Sequence, residues 1–251
     1  MYLQAGLWGL VSGSALIIGA VVPFLASLPQ RIIAAVMAIG SGVLISAVAF
    51  ELMDEAFARG GFDSTAFGFL LGAAIYTAAN VFLNRRGARH RKRSGHHEEQ
   101  KQQNAVDGSG MAIAIGALLD GIPESVVIGV SLIGASGVSL VTVAAIFLSN
   151  VPEALASSAG MRRAGRSAIY IFCVWGCIAL ASGLAALVGN VTLAGASPDV
   201  IAGTTALAAG AILAMIADTM IPEAFAETHE YAGLITVVGF LCAFVLSKLG
   251  G

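Results

Sequence analysis

The chain has 251 residues, of which 57% are hydrophobic and 11% charged, with a formal net charge of −2 and a mean hydropathy of +0.87. Soluble domains carry about 25% charged residues, so this composition excludes an ordinary soluble enzyme and points to an integral membrane protein. The basic residues gather in loops without aromatic interleaving, which argues against nucleic acid as a partner.

Apolar windows long enough to cross a bilayer fall at roughly 4–26, 32–58, 63–83, 108–132, 138–161, 166–189, 199–226 and 230–249. The first lacks a basic leader and runs into Pro23, so it reads as a span rather than a signal peptide. Eight spans predict an all-α integral membrane bundle. Lys- and Arg-rich loops stay in the cytoplasm. One side collects Arg31, then Arg85, Arg86, Arg89, Arg91, Lys92, Arg93 and Lys101, then Arg162, Arg163 and Arg166, whereas the other has Arg59 and Lys248. Both termini are therefore expected to be extracytoplasmic, with the chain a multi-pass protein of the plasma or inner membrane.

The outer thirds resemble each other at an offset of 167 to 170 residues. Trp8-Gly9 and Ser12-Gly13 are matched by Trp175-Gly176 and Ser182-Gly183, and the segment from Ser41-Gly42 to Glu55 by that from Ala209-Gly210 to Glu223. Five spans separate the copies, so the second is threaded upside down. The expected organisation is a three-helix repeat over 1–83, a cytoplasmic basic loop over 84–107, a central helix pair over 108–161 and the inverted repeat over 162–251. The loop carries His90, His96 and His97 and reads as solvated chain. Cys173, Cys177 and Cys242 read as small buried hydrophobes.

The central pair carries the chemistry. Asp120-Gly121-Ile122-Pro123-Glu124 and Ser149-Asn150-Val151-Pro152-Glu153 each sit inside an apolar run. A carboxylate at the centre of a spanning helix costs about 2.5–3.5 kcal/mol on insertion scales and normally faces an ion or substrate path. No Lys or Arg lies within either motif, and each proline deprives the carbonyl four residues back, Leu119 or Leu148, of its helical partner. Acid plus freed carbonyl suggests a cation. Asp120 and Glu124 share one helix face, as do Ser149 and Glu153. Glu51, Asp54 and Glu55 fall toward an outer mouth, with Asp54 reading as an interfacial acid. Asp218 and Glu223 fall toward an inner mouth, where Pro222 frees a third carbonyl.

These motifs, with eight spans in a three-two-three arrangement and a histidine-bearing loop, resemble the ZIP family of divalent metal transporters over nearly the whole chain. The family motif on span four reads His-Asn-x-Pro-Glu, and that on span five a polar pair followed by x-Pro-Glu. The resemblance implies a main metal site of Asp120, Glu124 and Glu153, with Asn150 contributing to a second, Ser149 as an additional ligand, Glu51, Glu55, Asp218 and Glu223 along the pathway, and a homodimer whose central helices move as an elevator. The family histidine is Asp120 here and its asparagine is Gly121, and span six has no acid, which favours a single-metal site. An all-oxygen ligand set keeps Zn²⁺ in play and favours Mn²⁺, Fe²⁺ or even Mg²⁺. The expected function is entry of divalent metal cations into the cytoplasm, the metal being substrate. A membrane-embedded metal-dependent enzyme and a metal-binding protein without transport are the alternatives.

Overall fold

The computed structural model describes residues 2–83, 85, 109–133 and 139–250. The histidine-bearing stretch at 84–107 lies outside the described residues apart from Arg85. Among the described residues there is no strand. In chain order the helices are α1 (Tyr2–Leu25), α2 (Gln30–Ala47), a π turn (Val48–Leu52), α3 (Met53–Leu83), α4 (Ser109–Ser131), α5 (Leu140–Arg163), α6 (Ala168–Leu193), α7 (Pro198–Met215), a second π turn (Ile216–Met220), α8 (Ile221–Thr228), a 3₁₀ turn (His229–Tyr231) and α9 (Ala232–Gly250). Serines set three helix starts: Ser139, Ser167 and Ser197 accept the backbone N–H of Thr142, Tyr170 and Val200.

Among the described residues five helical segments are long and apolar enough to cross a membrane: Tyr2–Leu25, Gln30–Leu83, Leu140–Arg163, Ala168–Leu193 and Pro198–Leu249. The second and fifth run to 54 and 52 residues, far more than the ~20 a bilayer needs. Both turn back part-way. The first breaks at Gly61 (φ 67°) and the second at His229 (φ 46°), a backbone region that favours glycine.

The outer thirds repeat one another in geometry. The ends of α2 recur 168 residues later as the ends of α7, and so do both ends of the π turn and the break itself. The copies run in opposite directions. Gly13 of α1 packs on Ala179 of α6 while Gly9 packs on Ser182 and Ala186, and Gly40 of α2 lies by Met220 while Gly60 lies by Asp199 and Ala202. Each copy lends its last helix to the other: α9 lies along α2, and α3 along α7. At two of the closest approaches a Cβ on Gly42 would overlap the Thr236 carbonyl oxygen, and one on Gly210 the Phe69 carbonyl oxygen. Close backbone packing of small residues replaces the hydrophobic drive that lipid removes.

The middle pair fits between these copies with separate neighbours. α5 lies chiefly on α1 and α2, and α4 on α6 and α7; α4 and α5 meet only briefly. Two apolar layers flank their Pro-Glu motifs. Ala117 and Ala154 join Leu16, Trp175 and Ile178 in one, and Val127, Ile128, Val143 and Ile146 join Leu44, Ile212 and Met215 in the other.

The cysteines depart from expectation: Cys173, Cys177 and Cys242 are all exposed. Cys173, Cys177, Leu180 and Leu184 form an outward strip on α6. In a spanning helix the lipid face is as apolar as the packed face, so hydrophobicity alone does not mark burial.

Candidate functional site

Pro123 and Pro152 lie inside α4 and α5, and small residues make room for the second. Gly19 of α1 abuts the Val151 carbonyl, and a Cβ on Gly40 of α2 would lie 2.7 Å from the Pro152 ring. The residues singled out in the sequence are buried here: Asp120 is 0% exposed, Glu124 1%, Glu153 3%, Asn150 4% and Ser149 1%.

Several of their polar atoms are already engaged. The Tyr76 hydroxyl on α3 donates to Asp120 Oδ1 at 2.7 Å. Asn150 Nδ2 donates to the Ser12 carbonyl at 3.2 Å and to Ser12 Oγ at 3.3 Å, which turns its amide toward α1. Ser149 Oγ donates to the Ile146 carbonyl at 2.8 Å, leaving lone pairs as its free acceptor capacity. Along α5, Thr142, Ser149, Asn150, Glu153, Ser157 and Ser158 are all buried, giving that helix a polar interior face that extends past the motif.

Asp120 and Glu124 lie on α4 and Glu153 on α5. Among the described residues no group of three or more His, Cys, Asp or Glu is arranged to hold a metal ion. α4 and α5 have different principal packing partners and touch over a short stretch.

The acids of the two mouths have surroundings of their own. Arg59 forms an ion pair with Glu55 at 2.8 Å, so one mouth acid has a cation one helical turn away. Glu51 accepts a hydrogen bond from Ser247 Oγ on α9. At the other mouth Glu223 is 8% exposed and, with Glu227, lies within electrostatic reach of Arg163. Asp218 does not join it. That residue is exposed on the outer face with Ala217, Ile221 and Phe225.

Tyr76 and Asn80, both buried on α3, went unmarked in the sequence. Their signal was present: a phenol and an amide four apart share one face of an otherwise apolar span, and such polar groups must find partners there.

Compared with known protein families and with curated proteins, the sequence matches none.

Proposed function

We propose that this protein carries divalent metal cations across a membrane into the cytoplasm, with Asp120, Glu124 and Glu153 as the acids that receive them. One observation carries the reading: three carboxylates are 0–3% exposed beside helix-interrupting prolines in a bundle of membrane-length helices. Such acids are costly in a bilayer and are retained where an ion passes. Asn150, Ser149 and the Leu119 carbonyl add neutral oxygens, and oxygen ligands suit Mn²⁺, Fe²⁺ and Mg²⁺ while still admitting Zn²⁺.

In this reading the long segments divide at Gly61 and His229, and with α4 they make eight spans in a three-two-three inverted arrangement. Inverted repeats commonly set the substrate site near the bilayer midplane at interrupted helices. In that arrangement Arg31, Arg85, Arg162, Arg163 and Arg166 share the end with His229, while Arg59 and Lys248 share the end with Gly61. By the positive-inside rule the first end is cytoplasmic, which puts both termini outside in a plasma or inner membrane. The ZIP-like motifs support the same assignment and suggest a homodimer.

The test is influx of Mn²⁺, Fe²⁺, Zn²⁺ and Mg²⁺ into liposomes containing purified protein at two pH values. Glu124→Ala and Glu153→Ala should each abolish influx with folding intact. Wild-type influx in both variants would reject the site, and binding without flux would reject carriage.

A further inference from the structure

A second place in the molecule has the makings of a cation site, away from the Asp120–Glu124 motif. Between α2, α5 and α9 lies a cleft lined by Ser46, Glu51, Leu148 and Ser247, with Val43, Ala145 and other apolar side chains closing it. Its free space is about that of one water-sized particle. Glu51 lies ten residues before the break at Gly61, roughly 15 Å along the helix, within the apolar reach of a segment of membrane-crossing length.

The polar groups around this cleft are poorly balanced for a structural role. Glu51 accepts from Ser247 Oγ, and among the described residues no cation comes within ion-pair distance of it. The nearby positive groups are committed elsewhere: Arg59 pairs with Glu55, and the Lys248 ammonium sits 5.7 Å from the centroids of both Phe50 and Phe244. Glu55 adds its own negative field to that of Glu51. Ser46 is 1% exposed and lines the cleft. Leu148 lines the same cleft, and Pro152 has taken away the helical partner of its carbonyl.

The internal repeat supplies a control. At the 168-residue offset of the repeated helix ends, the counterparts of Ser46, Glu51 and Ser247 are Ala214, Thr219 and Ala79. The fold therefore does not require an acid or a hydroxyl at these places, and Thr219 satisfies itself by donating to the Met215 carbonyl at 2.7 Å.

We infer that Glu51, Ser46, Ser247 and the Leu148 carbonyl form a binding site for one small monovalent cation of sodium size. Ser247, while donating to Glu51, keeps lone pairs for a cation, and Ser46 offers two. One carboxylate supplies one negative charge, which a monovalent ion neutralises and a divalent ion would overcompensate in a site of low dielectric. Freed backbone carbonyls beside an interrupted helix are suited to such ions. As a coupling site it rests on the carrier reading above; as a binding site it stands independently.

The test is thermal unfolding of the purified detergent-solubilised protein, titrated with NaCl against choline chloride at constant ionic strength and without divalent metal. Wild type should show saturable, sodium-specific stabilisation. Glu51→Gln should raise the half-saturating NaCl concentration about tenfold or more, given the strength of contacts to charged groups. Ser46→Ala, a smaller change that guards against misfolding of the first variant, should raise it severalfold, whereas Glu124→Gln should leave it unchanged. Equal unfolding of wild type in sodium and choline would overturn the site, as would a sodium response that survives both Glu51→Gln and Ser46→Ala. Stabilisation through Glu51 by Mn²⁺ in place of sodium would overturn the monovalent assignment. Metal influx without a sodium response would sink this inference alone, and a sodium response without influx would sink the carrier reading alone.

Discussion

The two outer thirds share their bends but not their charges. Helix ends, π turns and chain reversals recur at a fixed offset, and Glu55 recurs as Glu223. Beside these, Arg59 is replaced by Glu227, Glu51 by Thr219, Tyr76 by Phe244 and Gly61 by His229. Features present in both copies therefore belong to the architecture, and features present in one are free to serve chemistry. Tyr76 illustrates the second kind, because only the first copy places a phenol where it can hold Asp120.

Four sets of substitutions probe that division. The largest effect is expected at the shared close approaches: Gly42→Val and Gly210→Val each drive a side chain into a backbone carbonyl and should each cost about 3 kcal/mol or more. Matched losses of folded yield and melting temperature would confirm that the copies use one contact, and tolerance at one site would break the equivalence. Next comes Tyr76→Phe, which makes the first copy resemble the second. Losing a hydrogen bond to a buried carboxyl group should cost about 1.5–3 kcal/mol if Asp120 is ionised, and the reverse change at Phe244→Tyr should bring no matching gain in unfolding experiments. His229→Gly should stabilise by about 1 kcal/mol, since a non-glycine residue holds a positive φ there, whereas Gly61→His should destabilise. Smallest is Arg59→Ala, expected to cost no more than about 0.5 kcal/mol because both partners of the pair are one-quarter exposed.

The sequence was informative where the signal was composition or spacing. Apolar windows located the helices to within a few residues, and the offset between Ser41-Gly42 and Ala209-Gly210 foreshadowed the repeated bends. Burial of Asp120, Glu124 and Glu153 followed from the cost of a carboxylate in lipid. Facing was harder to read. Asp218 and the three cysteines lie on outward surfaces because a spanning helix is apolar all round, so its pattern does not say which side meets protein. Partners distant in sequence were hidden too: nothing in the Asp120 motif names Tyr76, 44 positions earlier, and Glu51 finds Ser247 only because the last helix returns along α2. The separation of α4 from α5 is a property of their neighbours, which no local motif encodes.

The acids of the middle pair stand at the centre of the account, and divalent binding to them is measured most directly by equilibrium titration of the purified protein with Mn²⁺ and Zn²⁺ in saturating sodium. Wild type should bind with saturable stoichiometry, while Asp120→Asn, Glu124→Gln and Glu153→Gln should each weaken binding at least about tenfold and leave the protein as stable as wild type or more so, since each removes a costly buried charge. Undiminished binding in all three variants, or loss of binding only where the fold is also lost, would contradict it.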